Sequence, residues 1–173
     1  MMKKILKVYK SMLKVIEKIE LNIGIALLST ITILIVIQVL LRYIFGKPLF
    51  WIEEICIYAF IWAAFIGASY VFKYMRHIQV TILTEILSSK MKDYMNIFVY
   101  ICVIFFLAFI LPVAYHQFQA ESLMYTQTLP IKISRKYFYS LPFLYCCFSI
   151  LITSIYFFLE QVNTIISSRK LER

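Results

Sequence analysis

Arg42-Tyr43-Ile44-Phe45-Gly46-Lys47-Pro48-Leu49-Phe50-Trp51-Ile52-Glu53-Glu54 is a short charged joint between two apolar runs. Each run has the roughly 20 residues that a helix needs to cross a bilayer. An Arg, a Trp and two carboxylates therefore stand at the edge of hydrocarbon, where charge is costly and points to function or assembly. Outward from the joint, the first run covers 21–41, with Glu20 and Arg42 as its charged ends, and the second covers 51–72, ended by Lys73. Two further runs cover 94–115 and 137–159. At about 1.5 Å per residue each reaches about 30 Å or slightly more, the thickness of a bilayer core with some tilt. Tyr43, Trp51, Tyr94, Tyr115 and Tyr137 sit near the run ends, as an aromatic belt requires. The first run begins too late for a cleaved signal peptide and is followed by Arg42 in place of a small-residue cleavage site.

Composition agrees. With 62% hydrophobic and 17% aromatic residues, and a mean hydropathy of +0.83, a water-soluble domain would leave far too much apolar surface exposed. Three glycines and four prolines among 173 residues favour long helices over a loop-rich fold. The expected architecture is an all-α membrane protein in a single membrane domain, 1–173, with four transmembrane helices. The formal charge of +9 does not indicate nucleic acid, because the basic residues flank the apolar runs. Of the 18 Lys and Arg, 13 fall in the N-terminal segment, the loop after the second run and the C-terminal tail. Only Arg42, Lys47, Lys132, Arg135 and Lys136 lie on the other side, so both termini are expected in the cytoplasm.

Residues 3–19 read as a separate element. Lys3, Lys7, Lys10, Lys14 and Lys18 form one cationic stripe, and Ile5, Tyr9, Met12, Ile16 and Ile19 follow the same rhythm on another face. This pattern predicts an amphipathic helix on the cytoplasmic leaflet, each lysine adding about 1 kcal/mol of attraction to anionic lipid. The plainer alternative is a solvated basic arm that only fixes topology. A weaker amphipathic patch runs from Ile78 to Leu87.

Chemistry-bearing groups are sparse. No Asp, Glu, Lys, Arg or His lies near the middle of a run, and Asn22 and Gln38 lie towards the ends of the first. His77 and His116 fall on opposite sides, which excludes paired haem ligands; Cys146-Cys147 lacks the spacing of a thiol oxidase. With Cys56 and Cys102, those cysteines read as small buried hydrophobes. The first run has no deep carboxylate for proton-coupled export, no internal repeat is visible, and no nucleophile–base pair or metal constellation appears. No enzyme, catalytic residue, metal site or cofactor in this chain is expected. Pro112 and Pro142 can tilt or kink the third and fourth helices. In the second run Ala59, Ala63 and Gly67 are spaced by four, a small-residue face that admits a close neighbouring helix. At about 100° per residue Glu53 lies on the flank of that face and Glu54 roughly opposite, in line with Tyr58 and Phe65. One carboxylate is expected to pair with Arg42 and the other to face a partner. Alternatively, both favour the helix dipole while Arg42 snorkels to headgroups.

The segment Gln38-Val39-Leu40-Leu41-Arg42-Tyr43-Ile44-Phe45, followed by Trp51-Ile52-Glu53-Glu54, resembles the small membrane subunit (Q subunit) of tripartite ATP-independent periplasmic (TRAP) transporters. So do Trp62, Gly67-Ala68, Arg76-His77-Ile78-Gln79-Val80, Leu129-Pro130-Ile131-Lys132 and Pro142. The resemblance covers essentially the whole chain; Thr81 departs from it where an acidic residue is expected. It implies a multi-pass protein of the bacterial inner membrane. The partners it implies are a large membrane subunit, forming a heterodimer, together with a periplasmic solute-binding protein and membrane lipids. Sodium and an organic acid, a C4-dicarboxylate or sialic acid, would be handled by the large subunit. Arg42, Trp51, Glu53, Glu54, Ala59, Ala63 and Gly67 are then candidates for subunit contact. The rival expectations are an accessory anchor subunit of another inner-membrane complex and a stand-alone carrier.

Overall fold

The structure is a computed structural model that describes residues 2–47, 49–83 and 89–171, with side chains over 6–47, 49–74, 91 and 94–165. The Lys3 side chain and the 78–87 patch thus lie outside the described side chains. Four long helices make up the described residues: α1 (Met2–Tyr43), α2 (Phe50–Leu83), α3 (Ser89–Glu121) and α4 (Ser140–Leu171), with one 3₁₀ turn at Arg135–Tyr137. Four stretches are long and apolar enough to cross a membrane, one on each helix, the last beginning in the 3₁₀ turn: Leu6–Tyr43, Phe50–Tyr74, Tyr94–Glu121 and Arg135–Ile165.

The helices form a row. α1 packs on α2, α2 on α4, and α4 on α3, while α1 also reaches α4. Large apolar side chains remain exposed on all four helices, and α4, flanked on both sides, is the most buried of the four. Gly46, at φ +62°, ends α1 by entering the left-handed region that favours glycine, and the Lys47 N–H returns to the Leu41 carbonyl at 3.2 Å. Pro142 lies at the start of α4. It sits in the first turn, where its missing N–H has no helical partner to lose, and it is fully buried.

The separation expected between residues 3–19 and the first crossing is not seen. α1 is one uninterrupted helix of 42 residues, about 63 Å long and about twice a bilayer core. Its inward residues recur at Leu6, Tyr9, Leu13, Ile16, Glu20, Gly24, Leu27, Ile31, Leu34, Gln38 and Leu41, three or four apart throughout. The face that packs near the N-terminus is therefore Leu6, Tyr9, Leu13 and Ile16, whereas Met12 and Ile19 are exposed. Aromatic rings on α4 and α3 select it. Tyr9 stacks on Tyr156 at 5.2 Å and donates to the Ile152 carbonyl at 3.1 Å, and Leu13 is buried with Tyr100, Tyr156 and Phe157.

Rings also set the contact of α2 with α4 and with the turn that leads into it. Tyr58 stacks on Phe138 at 4.2 Å, Phe65 meets Phe143 at 5.4 Å, and Trp62 Nε1 donates to the Tyr137 carbonyl at 3.2 Å. The α3–α4 loop is ordered by an antiparallel bridge between Tyr125 and Ser134, and the buried Thr126 hydroxyl donates to the Ile131 carbonyl at 3.0 Å. Cys146 and Cys147 are buried and Cys56 half-buried, as expected of small hydrophobes, but Cys102 is exposed on α3.

Candidate functional site

Two polar clusters stand out, one at the α1–α2 joint and one in the interior. At the joint, Glu54 lies in the second turn of α2 and reaches across to the α3–α4 loop. Its carboxylate accepts the backbone N–H groups of Gln127 (3.0 Å), Thr128 (2.7 Å) and Leu129 (3.0 Å), and the hydroxyls of Thr128 and Tyr58. Three successive amides converging on one anion form a nest, so Glu54 pins the loop to α2. Glu53, one residue earlier, is exposed and turns the other way, accepting Gln38 Nε2 at 3.4 Å.

Neither carboxylate pairs with Arg42, which forms no ion pair among the described residues and is exposed. Glu54 is consumed by the loop amides on the α4 side, whereas Arg42 stands in the last turn of α1, where a cation complements the helix dipole. Trp51 is partly exposed beside the joint. A cavity of about 370 Å³ opens between α1 and α2, lined by Gln38, Arg42, Glu53, Cys56 and apolar side chains.

The small-residue face divides. Ala63 is buried within the chain and Ala59 partly so, whereas a Cβ added at Gly67 meets nothing within 4 Å. Ala63 is thus used in the chain's own packing, and Gly67 keeps open space for a neighbour. Gly67→Ala is expected to leave the melting temperature of the purified chain essentially unchanged. Ala63→Leu is expected to lower stability by about 1–3 kcal/mol through overpacking.

The interior cluster overturns the reading of Glu20 and Lys73 as mere run ends. Lys73 Nζ lies 2.8 Å from both carboxylate oxygens of Glu20, and the two side chains are 4% and 1% exposed. Ser69 Oγ and Ser149 Oγ accept from Lys73 at 2.8 and 2.6 Å and donate to Glu20 at 2.8 and 3.0 Å. Tyr145 OH adds a donor at 2.9 Å. Three helices supply the groups: Glu20 from α1, Ser69 and Lys73 from α2, Tyr145 and Ser149 from α4. Both charges are satisfied inside the chain, as burial in a poorly polarisable interior demands. The cluster therefore fixes the register of three helices and leaves no free charge to hold a solute. A signal for it exists in the sequence. Glu20 occupies the inward three–four seam of α1, and Lys73 completes a sevenfold series with Ile52, Ala59 and Ile66.

The lysine stripe is partly neutralised. Lys7, Lys14 and Lys18 are exposed, while Lys10 Nζ lies 3.9 Å from Glu160 of α4. Among the described residues no cluster of metal-ligating side chains occurs.

Four helices apolar enough to cross a membrane, a charged joint and an internally satisfied ion pair define a helical membrane protein. The family described as tripartite ATP-independent periplasmic transporters, DctQ component, matches residues 31–164. That is more than half of the chain, and the chain belongs to this family. It is a transporter membrane subunit and not an enzyme. The chain is 29% identical over 101 residues to the sialic acid TRAP transporter permease protein SiaT of Haemophilus influenzae (strain 86-028NP), covering 56% of this chain and 16% of that protein. It is 41% identical over 61 residues to the "Putative TRAP transporter small permease protein" of Haemophilus influenzae (strain ATCC 51907 / DSM 11121 / KW20 / Rd), covering 35% of this chain and 38% of the relative. The matched stretches span well under two thirds of either relative's length.

Proposed function

We propose that this TRAP small permease subunit is the static scaffold of a sodium-coupled secondary transporter of the bacterial inner membrane. On this reading it pairs with a large membrane subunit that binds sodium and an organic acid, sialic acid or a C4-dicarboxylate, delivered by a periplasmic binding protein. The observation that carries the proposal is the Glu20–Lys73 cluster: its buried charges are spent on tying α1, α2 and α4 together. The exposed apolar side chains of the four helices favour a partner and lipid beside them. The name of the first relative supports sialic acid. The basic-residue bias supports cytoplasmic termini, with the joint and the α3–α4 loop outside. Exposed Lys7, Lys14 and Lys18 then lie at the inner leaflet.

The test is reconstitution into liposomes with an inward sodium gradient and labelled sialic acid or succinate. The two membrane subunits with binding protein are expected to give uptake, and the small subunit alone none. Uptake by this chain alone, or full uptake without it at equal large-subunit abundance, would overturn the scaffold reading.

A further inference from the structure

Gln38 is the second polar residue of the α1 seam, and its hydrogen bonding is half complete. The side chain is 8% exposed, its Nε2 donates to Glu53, and its Oε1 is buried without a partner. The assignment of the amide is forced, since a carboxylate only accepts and Gln38 must turn its NH₂ towards Glu53. An orphan carbonyl oxygen in this position costs on the order of its desolvation unless a donor reaches it. Among the described residues Glu53 accepts one hydrogen bond, long at 3.4 Å, and forms no ion pair. Both residues line the cavity of about 370 Å³ between α1 and α2, with apolar walls at Ile35, Val39 and Ile57. Two acceptors, one of them anionic, thus share a cavity and want a cationic donor.

Arg42 does not supply it, although it also lines the cavity. It lies one helical turn, about 6 Å, further towards the joint than Gln38. The same spacing argues against a phospholipid headgroup. In a leaflet the ammonium lies outermost and the phosphate beneath it, whereas here the cation-seeking acceptors are the deeper pair and Arg42 is the outer group. A long basic side chain entering sideways from a neighbouring helix meets the required order, its apolar stem along Ile35 and Ile57 and its charged head at Glu53 and Gln38.

We infer that the α1–α2 cavity at Gln38 and Glu53 receives a lysine or arginine side chain from the large membrane subunit. The inference rests on the scaffold reading above for the identity of the partner. It also gives the joint a division of labour: Glu54 holds the chain's own loop, and Glu53 holds the neighbour.

The test co-expresses this chain with its large permease subunit, purifies through a tag on the latter and measures the small subunit retained. Glu53→Lys is expected to reduce retention at least about tenfold, with smaller losses for Glu53→Gln and Gln38→Leu. The helical content and melting temperature of each variant chain alone should match those of the parent. Large-subunit variants that restore assembly with Glu53→Lys, selected with a split reporter, should replace one basic residue in a membrane helix by a neutral or acidic one. If the parent chain is retained and the variants are retained equally, this inference fails and the scaffold reading stands. If the parent chain itself is not retained, both fail. An aminophospholipid found by native mass spectrometry on the parent chain and lost in Glu53→Gln would make the occupant a lipid and overturn the inference.

Discussion

Lys73→Met is expected to destabilise the chain by about 3–5 kcal/mol, the range for removing one partner of a buried ion pair. The reason is geometric: Glu20 is 1% exposed, and no second cation stands near it among the described residues. The remaining donors from Ser69, Ser149 and Tyr145 are neutral and leave a bare carboxylate among packed helices. Denaturation of purified protein in mixed micelles, followed by helical circular dichroism, measures the loss. The double variant Glu20→Met with Lys73→Met is expected to recover the larger part of it, because well-packed apolar replacements often match a buried pair in stability. A single-variant cost below about 1 kcal/mol would show that the pair lies outside the cooperative core. The same cycle separates a register lock from a transport group: the double variant should still assemble and support uptake.

Glu54→Ala is expected to act locally. Five donors lose their acceptor at once, three of them successive loop amides. Hydrogen bonds to charged groups contribute about 1.5–3 kcal/mol, but Gln127 and Thr128 are exposed and water takes over part of the debt. A net loss of about 2 kcal/mol of loop stability is expected, read as roughly 30-fold faster hydrogen exchange at residues 127–129. Glu54→Gln, which keeps one acceptor oxygen, should fall between. Unchanged exchange at these amides would show that the Thr126 bonds and the Tyr125–Ser134 bridge suffice to order the loop. Since Tyr58 links Glu54 to the ring stack on Phe138, a modest loss at the outer end of the α2–α4 contact should accompany the loop effect.

Much of this was legible in the residues. The four apolar stretches and the short charged joint between the first two follow from hydropathy and length, because each depends on a local property of the chain. The two carboxylates of the joint were correctly read as pointing apart, since helical rotation alone fixes that. Their partners were not legible: the loop that captures Glu54 is more than seventy residues distant in sequence. In the N-terminal segment charge periodicity marks the exposed lysine face, but that α1 continues unbroken and that its packed face is set by rings on α4 and α3 is reported by no local pattern. Ala59, Ala63 and Gly67 read as one face, but steps of four drift around a helix, and only the first two stay near the buried seam.

The sequence by itself determined that this chain has four helices long and apolar enough to cross a membrane, because transfer free energy and helix length are summed residue by residue; its resemblance to a transporter's small subunit rests on the short motifs at and around the joint. Tertiary structure alone decided that Glu20 and Lys73 are interior partners, that Glu54 serves its own loop, and that Gln38 and Glu53 remain open. A buried charge or amide acquires meaning only from the groups that surround it, and in this fold those groups arrive from other helices.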